Sequence, residues 1–196
     1  MDSYFGDLGC EIDLRPVHLA TLKEPSAGKG PEPGPRKKTW YASDLRDWAE
    51  LCGAELSPDP GKLRRSDTQL ALRAALVAKD AGRLREFMQA AFRARWAEAT
   101  DLSDAAVVRR LLADAALDVD PVFERAQSDE LAQRLADETR SAIELGVFGV
   151  PTLIVGDRPL WGNDRFELAR YFVEKKLRAR PQSGKLREAE STVAAS

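Results

Sequence analysis

Two short stretches hold residue types whose order suggests chemistry. The first is Gly149-Val150-Pro151-Thr152, at the entry to a β-branched run. An X-Pro bond costs little to hold cis. A cis proline at a strand start leaves the N–H and C=O of the residue before it, Val150, open to pair with an extended ligand, as an added strand would. The same stretch also reads as a rigid turn with no ligand. The second is Trp161-Gly162-Asn163-Asp164-Arg165, at a strand-to-helix junction. A helix start offers unpaired N–H groups and a positive dipole end, which suit a carboxylate. Asp164 beside them suits an ammonium, so the pair fits an α-amino-acid head group. Asp164 also reads as a plain helix cap. Arg36-Lys37-Lys38 is a third anion candidate, although three charges in a row are usually a solvated face. His18 sits on or just after a strand with no obvious partner and reads as structural. Trp48, Phe87, Phe92 and Trp96 fall at helical spacing and read mostly as core, with one or two available to line an aromatic cleft.

Composition removes other chemistries. The chain has 196 residues, 43% of them hydrophobic and 32% charged, which suits one globular domain or one domain with a sizeable insertion. Lys and Arg total 30 against 32 Asp and Glu, so a phosphate-led nucleic-acid binder loses weight and no nucleic-acid partner is expected. One histidine excludes a His-rich metal cage, and two cysteines, Cys10 and Cys52, exclude CxxC redox pairs and four-cysteine zinc sites; no metal is expected. No apolar run reaches the roughly 18 residues needed to span a bilayer. The first residues show no basic and apolar leader pattern, which makes the cytoplasm the expectation and a membrane role unexpected.

The elements that must position these groups follow from periodicity. Residues 10–19 alternate apolar and polar through Ile12, Leu14, Val17 and Leu19, which predicts a strand over 12–17. Residues 23–35 form a Pro/Gly loop. The middle of the chain is helical. Tyr41, Leu45, Trp48 and Cys52 make one stripe stopped by Gly53. Ser66-Asp67-Thr68-Gln69 is a capping box before Leu72, Ala75 and Leu76. Leu84 to Trp96 is a further stripe, Ser103-Asp104 opens a helix with Val107, Val108, Leu111 and Leu112, Asp120-Pro121 an N-cap followed by proline, and Ser128 caps a helix closed by Gly146. Thr152–Val155, a Gly156-Asp157-Arg158 turn and Pro159–Trp161 predict a hairpin. Asp164-Arg165-Phe166-Glu167 reads as a second capping box opening a last helix, and residues 178–196 as a frayed, disordered tail. The helical block is thus inserted between one strand and a terminal hairpin with its helix.

Phe148-Gly149-Val150-Pro151-Thr152, the hairpin and then Trp161-Gly162-Asn163-Asp164-Arg165 resemble the C-terminal signature of 2-hydroxychromene-2-carboxylate isomerases, relatives of kappa-class glutathione transferases in the DsbA-like thioredoxin superfamily. The similarity extends to Pro35-Arg36-Lys37, Ala42–Leu45, Leu70–Leu76 and Phe92–Trp96, and covers most of residues 10–177. It implies an α/β fold: a thioredoxin-like, DsbA-type core with a large all-helical insertion. The core would be residues 1–22 and 147–177, and the insertion residues 36–146. It implies glutathione as cofactor, its cysteinyl backbone along Val150 before a cis Pro151, its γ-glutamyl head at Asn163 and Asp164, and Lys37 nearby. The substrate would be a small aromatic-derived acid to which a glutathione thiolate adds reversibly, with the protein lowering the thiol's pKa. A homodimer is a further family expectation. The alternatives are a kappa-type transferase acting on electrophiles and a non-catalytic glutathione- or peptide-binding module.

One departure stands out. Family members open with a strand, a Ser-Pro turn and a long helix, and that serine holds the sulfur. Here Ser3 is followed by Tyr4 and has no strand before it, so no catalytic residue is assigned. The first strand is then missing, and the strand at 12–17 lacks a neighbour. The expectation is a fragment of a normal enzyme; another chain supplying the strand, or direct pairing of Ile12–Val17 with Thr152–Val155, are the alternatives. Weak glutathione binding and negligible turnover follow from that expectation.

Overall fold

A computed structural model describes residues 2–23, 34–58 and 66–179. The predicted loop at 23–35 lies almost wholly outside the described residues, as does the tail beyond Ala179. The elements are α1 (Asp2–Phe5), a 3-10 turn (Gly6–Leu8), α2 (Leu19–Lys23), α3 (Pro35–Cys52), α4 (Gln69–Asp80), α5 (Leu84–Trp96), α6 (Ala105–Asp114), α7 (Val119–Gln127), α8 (Asp129–Glu144), β1 (Thr152–Val155), β2 (Arg158–Trp161) and α9 (Phe166–Ala179). They fall into two compact units, one of residues 13–148 and one of residues 2–12 with 149–179.

The larger unit is a helical bundle around α4. Its core is Ala74, Leu76, Phe87, Val108, Leu111, Leu112 and Leu131, each at most 1% exposed. α4 is rich in alanine, and Ala71, Ala74, Ala75 and Ala78 are all buried. Small side chains let the neighbouring helices approach α4 closely on several sides. The other helix starts confirm local capping chemistry. The Asp104 carboxylate accepts from the Ala106 N–H at 2.8 Å, and the Ser128 hydroxyl from the Leu131 N–H at 3.3 Å. Two caps differ from expectation. α7 begins at Val119, two residues before Pro121, so Pro121 falls inside its first turn, where an N–H is not needed. At α4, Asp67 rather than Ser66 holds the Gln69 N–H, at 3.0 Å. Ser66 instead donates to Asp101 and accepts from the Leu102 N–H at 3.1 Å.

Asp101 collects the Ser66 hydroxyl, the Ser103 N–H at 2.9 Å and the Ser103 hydroxyl at 2.8 Å. These donors favour the carboxylate, the Ser66 hydroxyl most, and bring its pKa down from 3.8 to about 2. A depressed pKa contributes stability above the unfolded value, and that contribution is lost as pH falls through the folded one. The expected result is a fall in stability between about pH 4 and pH 2 that Asp101→Asn flattens, read by urea unfolding across pH. An unchanged slope in the variant would remove Asp101 from the acid response.

The strand predicted over 12–17 does not form. Residues 10–18 form no helix or strand and join no ladder, and among the described residues the sheet is β1 paired with β2 alone. Direct pairing of Ile12–Val17 with Thr152–Val155 is thereby excluded. Period-two alternation requires only one half-buried side, not a neighbouring strand. Leu14 packs on the helical core, Lys79 Nζ donates to the Leu14 carbonyl at 2.8 Å, and the same ammonium pairs with Asp13. Residues 13–22 accordingly group with the helices and not with the hairpin.

Farther along, α3 has the predicted stripe and its Gly53 stop, at φ 63°, but buries none of its residues. Tyr41 and Leu45 are exposed, as are Phe92 and Trp96 on α5, so of the aromatic residues expected in the core Phe87 is the one fully enclosed. Among the described residues no helix is long and apolar enough to cross a membrane.

In the smaller unit β1 and β2 pair antiparallel with Thr152 opposite Trp161 and Val155 opposite Arg158, joined by a turn with Gly156 at φ 71°. α9 packs on β1 and runs through Ala179, just past where the tail was expected to begin. Arg170 of α9 binds the Asp7 carboxylate through both nitrogens, at 2.7 and 2.6 Å, and donates to the Tyr4 carbonyl at 2.6 Å, tying the amino-terminal helix to α9. Tyr4 stacks on Phe166 with centroids 5.1 Å apart. Ser3 therefore sits in a helical turn and not in a strand-to-helix turn.

Candidate functional site

The hairpin gathers both sequence motifs of the smaller unit. The Val150–Pro151 bond is cis. The Gly162 N–H donates to the Pro151 carbonyl at 3.0 Å, one step beyond the Thr152–Trp161 pair. That bond places the Val150-Pro151 corner against the Gly162-Asn163-Asp164 corner. The Thr152 hydroxyl donates to the Gly149 carbonyl at 2.7 Å and fixes the turn from the other side. Gly149 is buried, and a Cβ there would lie 2.7 Å from Nε1 of Trp161. Only glycine admits the indole this close. Gly162, at φ 124°, takes a backbone conformation that side chains rarely adopt.

Val150 is 45% exposed, and among the described residues neither its N–H nor its C=O has a hydrogen-bond partner. It presents one donor and one acceptor of extended backbone to an incoming chain. Asp164 is exposed, and its carboxylate pairs with Arg165 at 3.5 Å. It bonds no helix amide among the described residues, and α9 begins at Phe166. The predicted capping box at Asp164 is not formed. The physical reason is the turn: Gly162, Asn163 and Asp164 complete the hairpin's exit before helical backbone begins, so the carboxylate faces solvent and the Arg165 guanidinium rather than a helix amide. Asn163 is likewise exposed.

The structure therefore brings Val150, Pro151, Asn163 and Asp164 to one end of the hairpin. Lys37 belongs to the other unit, on α3, with its ammonium 5.7 Å from the Tyr41 ring centroid. A shallow concavity lined by Asp157, Arg158, Leu160 and Phe172 occupies the opposite, turn end of the hairpin, and none of the four site residues lines it. His18 is explained by structure: its N–H donates to Thr139 Oγ1 at 3.0 Å, and its Nδ1 lies 2.8 Å from Thr21 Oγ1. Sequence reasoning missed the Thr139 contact because that residue is 121 positions away and carries no local signal, whereas Thr21, three residues on, became a neighbour once residues 19–23 formed a helix.

A small antiparallel hairpin backed by a helix, a proline corner at its entry and a large helical unit are the parts of a DsbA-like thioredoxin domain, and the model of that family matches residues 1–174. Of solved structures, a 2-hydroxychromene-2-carboxylate isomerase superposes with a TM-score of 0.74 at 23% identity, covering 90% of this chain and 86% of its own. The cytosolic disulfide reductase DsbM from Pseudomonas aeruginosa gives 0.54 at 24% identity, covering 82% and 90%. These two likenesses show the fold. Curated relatives narrow it. The 2-hydroxychromene-2-carboxylate isomerase of Sphingobium xenophagum is 31% identical over 162 residues, 81% of this chain and 80% of the relative. That of Pseudomonas putida is 34% identical over 167 residues, 81% and 77%. The chain belongs to the 2-hydroxychromene-2-carboxylate isomerase family, an enzyme family within the DsbA-like thioredoxin domains.

Proposed function

We propose that the protein is a glutathione-dependent isomerase acting on 2-hydroxychromene-2-carboxylate or a closely similar aromatic-derived acid. The observation that carries this is the Gly162–Pro151 hydrogen bond, which sets the unpaired Val150 amide beside the uncapped Asp164 carboxylate. An extended γ-glutamyl tripeptide needs both: main-chain partners for its cysteinyl residue and an anion for its ammonium. The residues present fit it. The Val150 N–H and C=O would hold the cysteinyl backbone. Asp164 would take the ammonium, and Asn163 with the first amides of α9 would take the α-carboxylate. Bound glutathione supplies a thiol nucleophile that is regenerated within an isomerisation, so no co-substrate is consumed. We assign no side chain to activate the sulfur.

The substrate is an anion with a fused aromatic ring. Phe92 and Trp96, one helical turn apart and exposed on α5, are the type of surface such a ring stacks on. The names of the relatives favour isomerisation over transfer to electrophiles. A cytoplasmic location fits two cysteines that form no disulfide, Cys10 half-buried and Cys52 exposed.

Calorimetry with glutathione tests the head-group site. Asp164→Ala is expected to weaken binding about tenfold, the scale of one charge-assisted hydrogen bond. The dipeptide Cys-Gly, which lacks the γ-glutamyl head, is expected to bind wild type and variant alike. Equal glutathione affinity in the two proteins would reduce Asp164 to a turn residue. Conversion of 2-hydroxychromene-2-carboxylate with and without glutathione tests the cofactor: equal rates would remove it.

A further inference from the structure

α3 runs against the electrostatics of a lone helix. Acidic residues near a helix start and basic residues near its end answer the helix dipole. In α3 the order is reversed. Arg36, Lys37 and Lys38 fill the first turn, which holds no acid, and the last turn holds no base. Asp44, Asp47 and Glu50 follow toward the carboxyl end, with Arg46 the one cation among them. None of those three carboxylates forms an ion pair among the described residues. The apolar side is equally unanswered. Tyr41, Leu45, Trp48 and Cys52 recur at spacings of four, three and four, the repeat of a two-helix seam. α3 buries none of them, and Trp40, Tyr41, Leu45 and Leu51 are exposed, Leu51 to 76%. Helices in proteins are held mainly by packing an apolar side, because propensity alone leaves them marginal in water. Charge order and bare stripe therefore have one common remedy: a neighbour whose acidic end lies beside the basic end of α3.

We propose that α3 is a self-association surface on which α3 of a second copy lies antiparallel. A second copy carries the matching charge order by construction. Turned end for end about a twofold axis, its Asp47 and Glu50 lie beside Arg36 and Lys37, and the same contact repeats at the other end. The two helix dipoles then oppose, and each basic first turn meets the negative end of the other helix. A parallel arrangement would put like charge beside like charge at both ends. The apolar seam closes between them, with Trp40 and Tyr41 of one helix toward the half of the other that carries Leu45, Trp48 and Leu51. The paired charges lie at the surface, so salt screens them and weakens the assembly. The surface is independent of the chemistry proposed for the hairpin.

Sedimentation velocity of the full chain across concentration and salt reads the assembly, and a spin label on exposed Cys52 reads its direction. Cys52 is the last residue of α3, so a label there leaves the middle of the seam untouched. With Cys10→Ser, two labels are expected roughly 27 Å apart, the length of an 18-residue helix, against about 10 Å for parallel helices. Charge reversal tests the pairing. Arg36→Glu with Lys37→Glu makes both ends of α3 acidic, and Asp47→Lys with Glu50→Lys makes both basic. Each double variant is expected to raise the dimer dissociation constant about tenfold or more, and mixing the two is expected to restore the dimer. Recovery in the mixture also shows that both variants fold. If one does not fold, the salt dependence of the wild type and the Cys52 distance decide. A chain that stays monomeric at every concentration, labels about 10 Å apart, double variants that each dimerise like the wild type, or a mixture that stays monomeric overturns the proposal.

Discussion

Phe87→Ala is expected to remove about 3–5 kcal/mol of stability, the usual range for deleting an enclosed phenyl ring. Phe87 is 1% exposed on α5 and is part of the continuous core with Leu76, Leu111 and Leu112. A single domain is held by only about 5–15 kcal/mol in total, so this one truncation takes a large share of it. Phe92→Ala is the matched control. It removes the same ring from the same helix five residues later, where the side chain is 56% exposed, and is expected to cost within about 0.5 kcal/mol. Urea unfolding followed by helical circular dichroism reads both. Equal losses would mean that the helical unit is not organised around α4 and α5 as described.

Thr139→Val should cost about 1–3 kcal/mol although it keeps shape and volume. Thr139 is 1% exposed. Its hydroxyl donates to the Leu135 carbonyl at 2.7 Å and accepts from the His18 N–H at 3.0 Å. The Leu135 carbonyl keeps its helical partner in the variant, so the loss falls on His18, whose N–H would be left without an acceptor at the point where α2 meets α8. Hydrogen exchange separates this from a general loss of packing. The His18 amide should lose protection before the amides of α4 and α6, and Thr139→Ser should restore it. Protection at His18 that survives in Thr139→Val would show that the backbone there is held by something else.

These two residues also mark how far local pattern reaches. Phe87 was legible because Leu84, Phe87, Met88 and Ala91 recur at helical spacing, and burying that stripe is the cheapest way to satisfy it. Phe92 and Trp96 extend the same stripe and are exposed, because spacing defines a face without saying whether another element covers it. α3 makes the point at full length: an apolar stripe, a glycine stop and no buried residue. The hairpin was legible for a different reason. Gly156-Asp157-Arg158 between two short runs leaves few backbone alternatives, although Arg158, read as part of the turn, pairs with Val155 as the first residue of β2.

By itself the sequence determined the helices from α3 to α9, the hairpin and the proline corner, all of which depend on neighbours within a few positions. Tertiary structure alone decided three things. Residues 13–17 lie on the helices rather than in a sheet, because Lys79 and the bundle core supply the partners a strand would have supplied. Asp164 is an exposed carboxylate paired with Arg165 rather than a cap, because the hairpin's exit uses the turn that a cap would need. The Nε of half-buried Arg73 is enclosed without an acceptor among the described residues, because helix packing closes around it. In each case the outcome depends on which groups meet across long stretches of chain, and no spacing rule within one segment contains that information.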